Sequence, residues 1–181
     1  MSTSTVRFIS FPLTEAPPKF CAEIVSAFTA NESKISTRAL KKGLTSNDVL
    51  TVLRDDLVRL GFQVEAGQQK NDKIQRPVFF GEGGIPTRNY QIDGYHQEWR
   101  CGFEVEAGRA WMGNAIYRDL IQGLVMVQVD TLVLAVPNAY RYNSGGRSVI
   151  STDFDNTKSV AESLYGHTRV RMPYGLILIG Y

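Results

Sequence analysis

The sequence predicts a mixed α/β fold in which helices cover both faces of one central sheet. One ground is the order of elements along the chain, which alternates helix, strand, hairpin, helix and strand. A second is the continuously apolar run Thr131–Val136, which is typical of a strand buried on both faces. The chain has 181 residues, of which 43% are hydrophobic and 21% charged, and this suits one globular domain.

The N-terminal part is predicted to be irregular and then helical. Prolines punctuate residues 1–18, and residues 19–30 carry apolar side chains at helical spacing. A stronger helix is predicted for residues 45–60. Thr45 and Asp48 have the spacing of a capping box, and leucines form an apolar stripe along the helix.

After this helix the hydrophobic period becomes strand-like. Residues 62–64 indicate a short strand, residues 66–75 a polar turn, and residues 77–86 a glycine-containing loop or irregular strand. Residues 89–96 and 99–106 then predict two neighbouring strands joined as a hairpin.

The C-terminal half is predicted to begin with an amphipathic helix over residues 113–127. Away from its apolar stripe this helix carries Arg118, Asp119 and Gln122. The buried strand follows, and then a loop over residues 138–147, a short helix over residues 155–165 and a final strand over residues 172–181.

Composition limits the cellular context. The net charge of +2 is weak evidence for a nucleic-acid partner, because basic and acidic residues are nearly balanced. Two cysteines do not make a disulfide framework. No apolar run approaches the length of a membrane span, and the first residues lack a basic-then-apolar signature. We therefore expect a cytoplasmic protein with no membrane partner.

Acidic residues on the predicted hairpin form the most informative pattern in the chain. Alternation along a strand places Glu104 and Glu106 on one face and Val105 on the other. Ile92 is expected to join the apolar face and Asp93 the acidic one. A hairpin would then bring Asp93 beside Glu104, so that three carboxylates converge at the edge of an apolar sheet.

Carboxylates packed so closely are unfavourable unless a positive charge joins them. A hard divalent cation suits a site made only of oxygen ligands, and Mg²⁺ commonly binds one or two carboxylates together with phosphate oxygens. The spacing alone leaves a second interpretation open, in which the two glutamates lie on the exposed polar face of an ordinary antiparallel strand.

The string Ile92-Asp93, ten residues and then Glu104-Val105-Glu106 resembles the active-site pattern of the PD-(D/E)xK nuclease superfamily. It looks most similar to the BamHI/BglII-like branch of type II restriction endonucleases. In that branch isoleucine often replaces the motif proline, and glutamate or glutamine replaces the motif lysine. The order of predicted elements over residues 45–137 matches the same pattern.

This resemblance implies a restriction-endonuclease-like three-layer α/β/α core with a mixed central sheet. The chain would be a single nuclease-like domain over residues 1–181, with its catalytic core at about 45–137. Residues 1–44 would form an N-terminal helical extension, and residues 138–181 a C-terminal loop, helix and strand. The implied activity is Mg²⁺-dependent hydrolysis of DNA phosphodiester bonds, with Mn²⁺ able to substitute.

Carried over by position, the resemblance implies that Asp93, Glu104 and the carbonyl of Val105 ligate the metal. Glu106, which stands at the lysine position, would position or deprotonate the attacking water. Many members of the superfamily use one more acid on or after the first helix. The candidates for it are Asp56, Glu65 and Glu82.

The implied partner is double-stranded DNA. Basic and amide side chains that suit phosphate or base contacts are Arg109, Arg118, Arg141, Asn143 and Arg147. One active site per chain favours a homodimer for cutting both strands, and a cognate DNA methyltransferase encoded nearby would be consistent with restriction. Two alternatives remain open. The first is a nuclease-fold protein with another role, in repair, in phage defence or in DNA binding without cleavage. The second is a non-nuclease α/β interaction protein.

Overall fold

The computed structural model describes residues 4–38, 43–67, 69–107 and 114–181. The helices in these ranges are α1 (Cys21–Ile35), α2 (Ser46–Arg59), α3 (Ala115–Val125) and α4 (Asp153–Gly166). The strands are β1 (Arg7–Phe11), β2 (Gln63–Val64), β3 (Ile74–Phe80), β4 (Pro86–Ile92), β5 (Gly94–His96), β6 (Cys101–Val105), β7 (Thr131–Val136), β8 (Tyr140–Ser144), β9 (Arg147–Ser151) and β10 (Gly175–Gly180).

Six strands form a mixed central sheet in the order β1-β10-β7-β6-β5-β2. β7 runs parallel to both of its neighbours, β10 and β6, whereas the remaining pairs are antiparallel. The other four strands form two separate ribbons, β3 with β4 and β8 with β9. The predicted mixed sheet is confirmed. The predicted hairpin is present as β5–β6, but residues 89–92 of its first predicted strand belong to β4 and pair with β3 instead.

Each face of the sheet is covered by a pair of helices. On one face Phe28 of α1 and Leu53 of α2 pack against Phe103 of β6 in a first core. On the other, Ile116 of α3 and Phe154 of α4 belong to a second core. All six residues of β7 are buried, and its five apolar residues alternate between the two cores, which confirms the predicted strand buried on both faces.

The capping box predicted for α2 is present. The Thr45 hydroxyl accepts a hydrogen bond from the Asp48 N–H at 3.2 Å, and the Thr45 N–H donates to the Asp48 carboxylate at 3.0 Å. Leu50, Leu53 and Leu57 are buried in the first core. Local capping and the leucine stripe therefore act together to set this helix.

Two predictions about irregular segments are wrong, and for a third segment one of the two alternatives is confirmed. The segment predicted to be irregular at the N-terminus contains β1, which lies on the sheet edge beside β10. Residues 77–86 are predicted as a loop or an irregular strand, and the strand alternative is confirmed for residues 77–80, where β3 pairs with β4 through shifts in register. The predicted loop over 138–147 contains most of the β8–β9 hairpin. There Gly145 and Gly146, with φ of 56° and 78°, make the two-residue turn that matches strand twist.

The first helix also extends five residues past its predicted end, because Ile35 still packs into the first core.

No helix in the described part of the chain is long and apolar enough to cross a membrane.

Candidate active site

The acidic residues converge at the C-terminal end of β6, next to Asp93, which precedes β5. β6, β7 and β10 run parallel, so the C-terminal end of β6 lies at the same edge of the sheet as those of β7 and β10. A cleft of about 340 Å³ opens at this edge beside α3. Its charged lining residues are Glu65, Lys73, Asp93, Glu104, Glu106, Arg118 and Asp119.

Asp93 is held against β6 by the backbone. Its Oδ2 accepts the Val105 N–H at 2.9 Å, and its own carbonyl accepts the Glu65 N–H at 2.8 Å. The pairing of Gly94 with Phe103 places Asp93 opposite Glu104. Burial raises the pKa of Asp93 to about 6; the Val105 N–H opposes this rise, and the charges of Glu65 and Asp119 add to it.

The chain bends at Asp93, and this overturns the predicted position of Ile92. Instead of sharing the face of Val105, Ile92 packs into the second core. Its side chain fills the space above Gly102: a Cβ added to that glycine would lie 2.5 Å from Ile92 Cδ1. The reason is that Ile92 ends β4 and pairs with Ile74 in the β3–β4 ribbon rather than continuing the β5 ladder.

Glu104 lies inside β6 with only 7% of its surface exposed. Its neighbours Phe103 and Val105 point into the first core, so its side chain takes the opposite face, toward α3. Burial raises the pKa of Glu104 well above its usual value, and the charges of Asp93 and Asp119 raise it further.

Glu106 follows β6 directly. Its N–H donates to the Ala135 carbonyl at 2.9 Å, and its carbonyl accepts the Tyr181 hydroxyl at 3.0 Å, so the backbone is tied to β7 and to the residue that follows β10. Its carboxylate pairs with Arg118 at 2.6 Å. Burial and the nearby Asp119 charge raise the pKa of Glu106 to about 8, and Arg118 opposes this rise.

Asp119 is the site residue that sequence reasoning missed. It is 2% exposed and accepts the Arg118 Nε–H at 2.9 Å through Oδ1. Its Oδ2 is buried and has no hydrogen-bond partner among the described residues. The signal was the polar side of the third predicted helix, Arg118, Asp119 and Gln122, which faces the acidic edge of the sheet.

Of the three candidates for a further acid, the structure places Glu65 in the cleft. Glu65 forms an ion pair with Lys73. Asp56 instead pairs with Arg59 and accepts a hydrogen bond from Asn31 of α1, and Glu82 lies on the exposed turn between β3 and β4. Neither of these two lines the cleft.

Comparison with known proteins gives a fold and no close relative. No protein-family model matches the chain, and no curated protein matches it. Among solved structures, it is similar to the restriction endonuclease BglII in complex with a DNA 16-mer. The match has 12% identity and a TM-score of 0.52, and it covers 98% of this chain and 76% of that one. The chain has a restriction-endonuclease-like fold.

Within this restriction-endonuclease-like fold the predicted DNA contacts are scattered. Arg118 lies in the cleft, where it is paired with Glu106 and Asp119. Arg141, Asn143 and Arg147 are exposed on the β8–β9 ribbon, which follows β7 and so leaves the sheet at the acidic edge. Arg109 lies outside the described residues.

The donor set suits a hard cation. Five carboxylates and two cations line the described part of the cleft, so negative charge is in excess. The unpartnered Asp119 Oδ2 is a buried oxygen that a cation would satisfy. In the described ranges no three acidic, thiol or imidazole side chains already stand in metal-binding geometry.

Proposed function

We propose that this protein is a magnesium-dependent DNA endonuclease of the type II restriction kind, which hydrolyses phosphodiester bonds in the acidic cleft. The observation that carries the proposal is the meeting of Asp93, Glu104, Glu106 and Asp119 at one edge of a restriction-endonuclease-like sheet. A structural role explains this arrangement poorly, because burying several carboxylates together costs free energy that no core contact recovers.

Asp93 and Glu104, with the carbonyl of Val105, would hold Mg²⁺ or Mn²⁺. The bound ion would supply positive charge at the scissile phosphate and lower the pKa of a water molecule. Burial matters for this role, since the same low-dielectric surroundings that raise the pKa of Glu104 strengthen its attraction to a cation.

Glu106 is suited to accept a proton from the attacking water. A general base works best when its pKa lies near the operating pH, and burial brings the pKa of Glu106 to about 8. The Arg118 contact and the two backbone hydrogen bonds fix the direction of its carboxylate. Arg118 also brings a positive charge to the position where the superfamily pattern has lysine.

DNA would reach the cleft along the β8–β9 ribbon. Arg141 and Arg147 would contact phosphates or guanine edges, and Asn143 suits adenine. We assign Arg109 a contact with the DNA phosphate backbone only because it follows Glu106 by three residues in the sequence. The solved complex with DNA is that of BglII, and binding of duplex DNA by this chain is part of the proposal.

A second copy of the chain would cover α3. Its outer side exposes Ile121 and Val125, at 58% and 39%, one turn apart. Arg118, three residues before Ile121 and seven before Val125, lies on the same side of the helix, and with Asp119 it lines the cleft, so pairing through α3 would fix the two clefts relative to each other. A two-fold dimer of this kind matches a palindromic site. We further propose a cytoplasmic location and a methyltransferase encoded nearby that protects host DNA.

The test is incubation of unmethylated phage DNA with the protein and Mg²⁺. We expect discrete fragments, none in EDTA and none with Glu104→Gln. The matched control is Glu82→Gln, which removes an exposed acid outside the cleft and should cut like wild type. Binding without cleavage by the wild type would contradict the nuclease assignment and favour a silent DNA-binding protein.

A further inference from the structure

Lys73 is a largely buried cation at the rim of the acidic cleft. Its side chain is 20% exposed, and its ammonium forms an ion pair with Glu65, whose side chain is 9% exposed. Lysine is seldom buried to this extent, because removing an ammonium from water costs free energy that a single ion pair does not always recover. A functional reason for its position is therefore worth seeking.

The position of Lys73 is fixed relative to the proposed metal ligands. The Glu65 N–H donates to the Asp93 carbonyl at 2.8 Å, so the partner of Lys73 is bonded directly to a site residue. The segment between Glu65 and Lys73 closes on itself through the Ala66 N–H, which donates to the Asp72 carbonyl at 3.1 Å. Both members of the ion pair line the cleft.

The two cations of the described cleft differ in how many carboxylates they pair with. Arg118 contacts two carboxylates, Glu106 and Asp119. The Lys73 ammonium has three N–H donors, and Glu65 takes one of them. A compact ammonium with a single carboxylate partner suits one phosphate oxygen, whereas the charge of the guanidinium is already offset by two carboxylates.

We propose that Lys73 binds a non-bridging oxygen of the DNA backbone and that Glu65 is its positioning residue. The inference rests on the proposed function and deepens it, because it names the group that recognises phosphate. A duplex entering a cleft of five carboxylates meets repulsion, and each phosphate held there needs positive donors. The motif itself supplies none, since Glu106 stands at the lysine position.

The competing explanation is that Lys73 only neutralises Glu65. The two roles give opposite results in a charge-balanced double variant. If Lys73 serves only to balance Glu65, Lys73→Met combined with Glu65→Gln should restore wild-type DNA binding. If Lys73 holds a phosphate, the double variant still lacks that contact and should bind as weakly as Lys73→Met.

The experiment measures affinity for a DNA duplex in Ca²⁺ as a function of salt concentration. Loss of one phosphate contact should make the negative slope of log K against log salt less steep by about 0.9. The affinity gained on going from about 1 M to about 0.1 M salt is then roughly eightfold smaller than in wild type. We expect this for Lys73→Met and for the double variant, with Lys73→Arg retaining the wild-type slope.

The matched control is Lys158→Met. Lys158 also pairs with a glutamate, Glu162, at 3.5 Å, but on the exposed surface of α4, and its loss should leave the slope unchanged. Circular dichroism checks folding; the double variant keeps the test valid if an unpaired Glu65 prevents Lys73→Met from folding.

A wild-type slope in Lys73→Met, or recovery of binding in the double variant, would overturn the assignment of Lys73. If wild type cuts phage DNA and either result is found, only this inference fails. If wild type binds duplex DNA without cutting it, the nuclease assignment fails and the salt slopes still decide the role of Lys73. If wild type neither binds nor cuts, both are wrong.

Discussion

Replacing Asp93 by asparagine should make the metal-free protein more stable while abolishing its activity. The amide has the same shape as the carboxyl group, and its oxygen can still accept the Val105 N–H that Asp93 accepts at 2.9 Å. What the substitution removes is a buried negative charge that lies close to the charges of Glu65 and Asp119.

The magnitude follows from the pKa of Asp93, which burial raises from 3.8 to about 6. The folded protein holds this proton more tightly than the unfolded chain, so native stability falls as the pH rises from about 4 to above 6. A difference of roughly two pKa units corresponds to at most about 3 kcal/mol at pH 8. In a chain of this size that shifts the melting temperature by roughly 6–12 °C.

The assay is thermal unfolding in EDTA at about pH 4 and pH 8, followed by circular dichroism. Glu104 and Glu106 lie close enough that the Asp93 charge raises the pKa of each, so the difference between wild type and variant reports the Asp93 charge together with its effect on these two glutamates. We expect nearly equal melting temperatures at the lower pH and a more stable Asp93→Asn at the higher pH.

Adding Ca²⁺ or Mg²⁺ at pH 8 should stabilise wild type, because a ligand that binds only the folded state raises stability, and should have much less effect on Asp93→Asn. The reasoning would be refuted if Asp93→Asn were less stable than wild type at pH 8 in EDTA. A retained response to metal would show that Asp93 is not a ligand.

Three further variants test separate parts of the site. Glu106→Lys should abolish cleavage, because lysine cannot act as a base beside Arg118. The measurement is the single-turnover cleavage rate as a function of Mg²⁺ concentration. Wild-type rates in both Glu106→Lys and Glu106→Gln would mean that Glu106 has no part in the reaction. Asp119→Asn should slow cleavage about 10²-fold or more, because Arg118 loses a charged partner; unchanged rates would remove Asp119 from the site. Ile121→Glu should shift the dimer to monomer in light scattering while circular dichroism stays unchanged, and a dimer that persists at micromolar concentration would exclude this side of α3 as the interface.

Strong local patterns are what the sequence determined by itself. The capping box and leucine stripe set α2, and the continuous apolar run set β7, because in each case neighbouring residues carry the whole signal. The closeness of Asp93 to Glu104 also followed from local information, since a hairpin pairs residues that lie near each other in the chain.

Only the tertiary structure decided which partner covers each segment. β1 is a strand because it pairs with β10, at the far end of the chain. No pattern in the first eighteen residues indicates that this partner exists. Ile92 leaves the expected face because its hydrogen bonds go to β3 rather than along β5. Asp119 joins the site because α3 packs its apolar stripe on the sheet and thereby turns its polar side toward the acidic edge. Periodicity shows that a side is buried or polar, but the element that it meets depends on contacts between residues far apart in sequence, which no local pattern encodes.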